Sequence, residues 1–360
     1  MVCCELDVTR EWALRALLVL TLTGCLVASG TAVAETSTKS RAQASATITK
    51  AKTAKRVQGT IPARSVRVQK RKFRGERPPR HPSAGQLAGL SHSGDPLRLK
   101  SHVALVVDQD TDEVLFEKNT HAVLPIASIT KLMTALLTVE ADLPLDEELK
   151  VTPDELVRAG IRSNLRPGLT MTRGTALHLA LMSSENRAAQ LLGRTYPGGL
   201  PTFIEAMNAK ARMLGMSDSH FVDPTGLSAD NRSSANDLVR LVKAAYEHEV
   251  IREYSVSGEL ALPVGRRTVV YGSTNRLTAN PDWEIGLQKT GYISAAGRCL
   301  VMQAVIEGRR VVMVLLDSVG KYSRIADAQR IRDWLETSGT LSAIPTKSVG
   351  TSAATGAKPI

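Results

Sequence analysis

Cysteine and aromatic side chains are scarce in this 360-residue chain. Only four cysteines occur, and Cys3, Cys4 and Cys25 lie near the N-terminus. Phe, Trp and Tyr make up 4% of the residues, so the core must consist mainly of Leu, Val, Ala and Met. If the N-terminal segment is removed, Cys299 alone remains, which excludes an intrachain disulfide. We expect Cys299 to be a small buried hydrophobic residue rather than a reactive thiol.

The sequence also lacks the patterns of metal and nucleotide sites. Its seven histidines show no ligand spacing with acidic residues or with Cys299. No glycine-rich phosphate loop occurs either. We therefore expect neither a metal nor another cofactor. His220, which lies beside Phe221, is interpreted as a packed loop residue.

The N-terminal apolar run is too short to be a typical membrane span, and its context is that of an export signal. Arg10 and Arg15 precede the apolar residues 16–22, and small residues at 32–34 form a cleavage site. We expect residues 1–34 to be a cleaved signal peptide and the protein to be periplasmic. Two alternatives are an uncleaved anchor and lipidation of Cys25, because the four residues ending at Cys25 resemble a bacterial lipoprotein cleavage box.

The net charge of +11 comes from one segment. Residues 35–82 contain 14 lysines and arginines against two glutamates, whereas the chain after residue 82 is neutral overall. With almost no apolar periodicity, residues 35–93 are predicted to be a disordered basic linker. After export, the available polyanions are cell-wall polymers and lipid head groups, so we expect a contact with an anionic envelope surface or a plain solvated spacer, and no nucleic-acid partner.

Apolar patterns after residue 94 predict strands at both ends of one domain and helices in its middle. A hairpin is expected around the turn at 108–112, and three strands are expected within residues 287–316. Helices are predicted from Ser128 to Val139, across 176–192 with a polar break, and at 203–214, 235–246 and 325–335. The fold class is therefore α/β (α+β), with an antiparallel sheet covered by helices and an inserted all-helical lobe. This catalytic domain spans 94–340, and 341–360 form a polar tail.

Ser128 and Lys131 place a hydroxyl and an amine one helical turn apart at the start of an apolar helix. A serine becomes nucleophilic at neutral pH only when a base takes its proton, and a lysine is such a base only when its pKa is lowered. The helix N-terminus and a second cation at Lys289 are expected to lower it. A Ser-x-x-Lys pattern arises by chance roughly once or twice in a chain this long, so it needs support.

Two further motifs give that support. Ser184-Glu185-Asn186 interrupts two apolar segments that have no structural need for a polar cluster. Ser184 is suited to proton relay and Asn186 to holding the substrate and Lys131. Lys289-Thr290-Gly291 combines two groups suited to an anionic substrate with a residue that leaves a strand edge open. Taken singly, each residue has a plain structural interpretation, such as a helix cap at Ser128, Ser184 or Asn186.

The three motifs, in this order, resemble the motif set of the penicillin-recognising serine enzymes. The chain is more closely similar to the low-molecular-mass D-alanyl-D-alanine peptidases, and among them to the endopeptidase type. Long runs carry the resemblance from about residue 100 to 340. They are residues 125–135, 180–189, 221–228, 289–293 and 296–302.

The resemblance implies specific roles. Ser128 is the acylated nucleophile and Lys131 its base, while Ser184 and Asn186 form the second motif. The third motif, Lys289, Thr290 and Gly291, binds substrate, and the backbone amides of Ser128 and Tyr292 form an oxyanion hole. Where the family often has threonine, this chain has Ile293, and Arg298 is a weak candidate for replacing the lost anion contact.

The resemblance implies hydrolysis of D-alanyl cross-links in peptidoglycan through an acyl-enzyme, with β-lactams as covalent inhibitors. A D,D-carboxypeptidase is the alternative, disfavoured because only about 50 residues follow Lys289 before the polar tail, too few for a further β-rich domain. A β-lactamase is disfavoured because no Glu-x-x-Leu-Asn string supplies a deacylating base. An inactive wall-binding module is disfavoured because all the chemical side chains are present.

Overall fold

The structure, a computed structural model, describes residues 81–156 and 163–339. The predicted signal peptide, Cys25, the linker up to residue 80 and the polar tail lie outside the described residues.

Five strands form the main antiparallel sheet, in the order β2-β1-β11-β10-β9. The strands in chain order are β1 (Ser101–Asp108), β2 (Val114–Lys118), β3 (Leu124–Pro125), β4 (Glu148–Lys150), β5 (Thr170–Thr172), β6 (Arg232–Ser233), β7 (Glu259–Val264), β8 (Arg267–Gly272), β9 (Glu284–Ile293), β10 (Gly297–Ile306) and β11 (Arg309–Ser318). The remaining six short strands form three two-stranded pairs. The first and last thirds of the chain thus build one sheet, and β9 lies at its edge.

The sheet is buried on both faces, which explains the continuous apolar character of β1. Val103, Leu105 and Val107 pack into the larger core with the helices from the middle of the chain. Ala104 and Val106 pack into a second core, against the C-terminal helix. Alternate residues of a strand point to opposite faces, so a strand between two helical layers must be apolar throughout.

The helices follow the predicted order. They are α1 (Ala84–Leu87), α2 (Lys131–Glu140), α3 (Arg173–Met182), α4 (Asn186–Arg194), α5 (Gly199–Met213), α6 (Ala235–Tyr246), α7 (Glu249–Val256) and α8 (Ser323–Thr337). Helices α2 to α7 lie between β2 and β9 in the chain and form most of the predicted inserted lobe, which also contains the short strands β3 to β8. The predicted fold class is confirmed by the antiparallel sheet, its helical cover and this insertion. None of the helices in the described part of the chain is long and apolar enough to cross a bilayer.

Part of the segment predicted to be a disordered linker is structured. Residues 84–87 form α1, capped by Ser83, and the Ser83 hydroxyl donates to Asp317 at 2.7 Å. The Ala84 amide donates to the carbonyl of Ala295 at 2.8 Å. These bonds attach the segment to the sheet through polar contacts, which apolar periodicity does not detect.

Candidate active site

Ser128 lies in a 3₁₀ turn, Ala127–Thr130, which runs directly into α2. The preceding Ala127 has a φ of 50°, in the left-handed region that a residue with a Cβ rarely adopts. Ile126, Ala127 and Ile129 are completely buried, so packing holds this turn in place. Strained backbone conformations of this kind are found mostly at functional sites, where the surrounding packing maintains them.

Lys131 is completely buried and its amine has three partners. The Nζ atom lies 2.9 Å from Ser128 Oγ, 2.8 Å from Asn186 Oδ1 and 2.7 Å from the Thr225 carbonyl oxygen. The last two atoms only accept hydrogen bonds. A neutral amine has two hydrogens and one lone pair, so donating to Asn186 and Thr225 leaves its lone pair for the Ser128 hydroxyl. This arrangement is that of a base and its nucleophile.

Burial is the main reason that the pKa of Lys131 falls, to about 7. Asp223 and Glu185 oppose the shift and keep the pKa from falling further. The sequence-based expectation of a lowered pKa is met, but its causes differ from those expected, a helix N-terminus and the charge of Lys289.

Burial lowers the pKa of Lys289 well below its usual value, and the nearby charges of Lys131 and Arg324 lower it further. In the free protein the Lys289 amine donates to the Thr290 carbonyl at 3.0 Å.

The second motif lies in the loop between α3 and α4. Asn186 is the first residue of α4 and bonds Lys131, as expected. The helix is capped by Glu185, whose carboxylate accepts from the Arg187 amide, and neither Ser184 nor Asn186 has that role. Ser184 has a φ of 60°, and its hydroxyl makes no hydrogen bond to any described residue. The structure thus brings Asn186 into the amine network, while the relay role of Ser184 stays a prediction.

The third motif lies on edge strand β9. Thr290 donates to the Thr274 hydroxyl at 2.7 Å. A Cβ on Gly291 would lie 3.1 Å from Ser128 N and 2.9 Å from the Ile126 carbonyl oxygen, so this glycine allows β9 to pass against the nucleophile's backbone. That contact places β9 beside the Ser128 amide, while the oxyanion hole itself stays a prediction. Tyr292 is 55% exposed, and the Arg298 guanidinium lies 4.4 Å from its ring centre.

A loop outside the three motifs completes the site. The Asp223 carboxylate accepts hydrogen bonds from the amides of Thr225, Gly226 and Ser228, which shapes the loop. The loop presents the Thr225 carbonyl to Lys131. A Cβ on Gly226 would lie 1.9 Å from the Ala127 carbonyl oxygen, so only glycine fits there. Residues 223–226 belong to one of the runs that carry the resemblance, but the sequence does not mark Thr225 as a contact of Lys131. A backbone carbonyl that accepts a hydrogen bond leaves no signature in residue type.

Cys299 is free and completely buried, and burial raises its pKa to about 12. It is therefore an unreactive core residue, as expected from the sequence.

Comparison with known proteins fits this geometry. Residues 91–320 match the family described as D-alanyl-D-alanine carboxypeptidase. The chain is 46% identical over 258 residues to the D-alanyl-D-alanine endopeptidase of Pseudomonas aeruginosa, covering 70% of this chain and 83% of the relative. It is 45% identical to the enzyme of the same name from Escherichia coli, covering 66% of this chain and 78% of the relative.

Solved structures show the same fold. A penicillin-binding protein of Listeria monocytogenes in its ampicillin-bound form aligns with a TM-score of 0.59 and 29% identity, over 67% of this chain and 98% of that one. A Mycobacterium tuberculosis D-alanyl-D-alanine carboxypeptidase aligns with a TM-score of 0.62 and 25% identity, over 68% and 94%. With a buried lysine set against a serine in the matched region, the chain belongs to the D-alanyl-D-alanine carboxypeptidase family of serine peptidases.

Proposed function

We propose that this protein is a serine D,D-endopeptidase that hydrolyses D-alanyl cross-links in peptidoglycan. The observation that carries the chemistry is the completely buried Lys131 amine, 2.9 Å from Ser128 Oγ and held by two further acceptors. The choice of endopeptidase rests on the relatives at 46% and 45% identity, which bear that name.

The reaction is an acyl transfer. Lys131 takes the proton of the Ser128 hydroxyl while Oγ attacks the D-alanyl carbonyl carbon, and we expect the backbone amides of Ser128 and Tyr292 to stabilise the oxyanion. The carbon–nitrogen bond then breaks and the amine leaves with the proton. Water, activated by the same amine, attacks the ester and restores the Ser128 hydroxyl. A β-lactam forms the equivalent ester, which we expect to hydrolyse slowly.

A D,D-carboxypeptidase that removes a terminal D-Ala by the same chemistry is the second candidate. It is favoured by more distant relatives with that name, such as a Bacillus subtilis enzyme at 29% identity. The two functions differ in the group that leaves. In one it is a peptide strand, and in the other it is one amino acid.

Two measurements test the proposal. Labelled penicillin should modify the wild-type protein and the Ser91→Ala control, whose serine is exposed, but not Ser128→Ala. Undiminished labelling of Ser128→Ala would show that another residue is the nucleophile. Cross-linked muropeptide dimers should be converted to monomers without free D-Ala. Release of D-Ala without monomer formation would replace the endopeptidase by the carboxypeptidase.

We further propose a periplasmic location, with the basic linker touching an anionic surface of the envelope. This rests on the signal pattern of residues 1–34 and the charge of residues 35–82. Mass spectrometry of the mature protein should find Glu35 at its N-terminus, whereas a lipid-modified Cys25 would replace cleavage after Ala34.

A further inference from the structure

A groove of about 790 Å³ lies between the segment that precedes β5 and the turn of the β7–β8 hairpin. Three arginines line it, with Arg166 on the first wall and Arg266 and Arg267 on the hairpin. Leu169 and Val269 add apolar surface to the same lining. We call the space between these three arginines the arginine groove. It combines positive charge with an apolar surface, which suits an extended anionic chain.

The positive charge of the arginine groove is not neutralised by the protein. Among the described residues, no acidic side chain lines it. Its three arginines are exposed, and none of them forms an ion pair in the part of the chain that the structure describes, whereas Arg194 pairs with Glu155. Cations that converge without a counter-charge create a positive potential that attracts anions. A guanidinium also offers a carboxylate two parallel N–H donors.

A buried hydroxyl beside the groove is an independent observation. Tyr271 lies two residues after Val269 on β8, so both side chains point to one face of the hairpin. Tyr271 is 9% exposed, and its hydroxyl makes no hydrogen bond of normal geometry to any described residue. Burial and then the charge of Glu185 raise its pKa to about 12, while the side chain of Asn164, which lines the groove, opposes the rise. A buried hydroxyl without a partner is costly unless a ligand supplies one.

Both walls of the groove are attached to the loop that carries the second motif. Arg187, which follows Asn186, donates to the Leu165 carbonyl at 2.6 Å and so holds the first wall. On the other wall, the amide of Thr274, two residues past β8, donates to the carbonyl of Met182 at 3.2 Å. The arginine groove is therefore an extension of the second-motif side of the active site.

We propose that the arginine groove binds carboxylates of the stem peptide that supplies the acyl group, the strand that stays attached to Ser128 when the cross-link breaks. This inference rests on the proposed function and deepens it. The groove would hold the acyl strand through both steps of the reaction, and it would favour peptidoglycan strands over small acylating compounds that do not reach it.

The chemistry of the cross-link assigns the acyl strand to this groove. The residue that leaves has a carboxylate two bonds from its nitrogen, which matches the third motif directly beside Ser128. The acyl residue is a D-alanine whose carboxyl is part of the scissile bond. The carboxylates of its strand therefore begin at least one residue further away, which matches cations that lie beyond the loop of Asn186.

The test measures how much muropeptide dimer protects Ser128 from labelled penicillin, relative to the labelling of each protein without dimer. We expect the variant Arg266→Gln/Arg267→Gln to need at least about fivefold more dimer than the wild type for half-protection. The control Arg98→Gln/Arg212→Gln removes two exposed arginines outside the groove and should be protected like the wild type. Equal protection of the wild type and the groove variant would overturn the inference, and so would an equal loss in the control.

Amidated dimers identify the strand. Amidation of the acyl-side carboxylates should weaken protection of the wild type and remove its difference from the groove variant. Amidation of the amine-side carboxylates should preserve that difference. A difference that survives acyl-side amidation, or that disappears on amine-side amidation, would overturn the assignment of the acyl strand. Cleavage of the dimer is read separately. Failure of the wild type to cleave it would reject the endopeptidase function, because protection does not depend on cleavage.

Discussion

Lys131 is buried, and for that reason its amine titrates near neutral pH. Its pKa of about 7 means that the neutral amine rises from roughly a tenth of the molecules at pH 6 to nine tenths at pH 8. Only the neutral amine can accept the Ser128 proton. We therefore expect the rate of acylation by penicillin to rise about tenfold over this interval, as measured by stopped-flow or gel-based labelling.

Glu185 offers a way to move that profile. Its charge raises the pKa of Lys131, so Glu185→Gln should shift the rising limb to lower pH, while the amide oxygen still caps α4. Glu253→Gln is the matched control, since Glu253 is exposed and is not among the charges that act on Lys131. A shift to higher pH in Glu185→Gln, or none, would contradict this electrostatic account.

Alanine substitutions at Gly226 and Gly265 test the close approach of the 223–228 loop to the backbone beside Ser128. Both have a left-handed φ, 79° and 62°, so alanine is strained at either position. Only at Gly226 would the new Cβ meet the Ala127 carbonyl, whereas Gly265 has open space. Gly226→Ala should reduce acylation at least a hundredfold, and Gly265→Ala less than twofold. Similar rates for the two variants would show that the contact does not hold Ser128.

At the scale of residues, the sequence predicts which side chains form the site better than it predicts the environment that sets their pKa values. Ser128, Lys131 and Asn186 meet as the motifs implied. The cause of the lowered Lys131 pKa was different, because desolvation depends on packing that no motif records. Thr225 contributes through its carbonyl, and backbone groups look alike in every residue.

At the scale of the elements, the buried carboxylate of Asp327 links helix α8 to the start of strand β1. Asp327 accepts from the amides of Lys100 and Ser101 at 3.0 and 2.8 Å, and it is completely buried. Asp327→Ala leaves these donors unpaired and should lower the free energy of unfolding by about 3 kcal/mol in urea titrations. Asp333→Ala, an exposed position on the same helix, should change it by less than about 0.5 kcal/mol.

Elements with strong periodicity were predicted closely. Helix α6 has the predicted bounds, and β9 to β11 extend the predicted strands by a few residues. The β7–β8 hairpin and α7 were missed. The hairpin packs one face on the core, but Ala261, Pro263 and Val270 on its exposed face are also apolar, so hydrophobicity does not alternate along its strands. Helix α7 has eight residues and no side-chain cap.

For the whole molecule, Cys299 reports on unfolding. The thiol is completely buried with a pKa raised to about 12, so it is both inaccessible and protonated. Iodoacetamide should leave the peptide containing Cys299 unmodified in the native protein and alkylate it fully in concentrated urea, as read by peptide mass mapping. Rapid modification in the native state would mean that the sheet opens locally at β10.

The sheet also dictates when the protein can become active. Ser101 on β1 pairs with Ser318 on β11, so two neighbouring strands of the sheet come from opposite ends of the domain's sequence. Closing so large a loop is entropically costly and slow. Ser128 and Lys131 are made early, yet β9, which passes against the nucleophile's backbone, is made late. A growing chain therefore has its catalytic pair long before it has a catalyst, and activity arrives with the last strands.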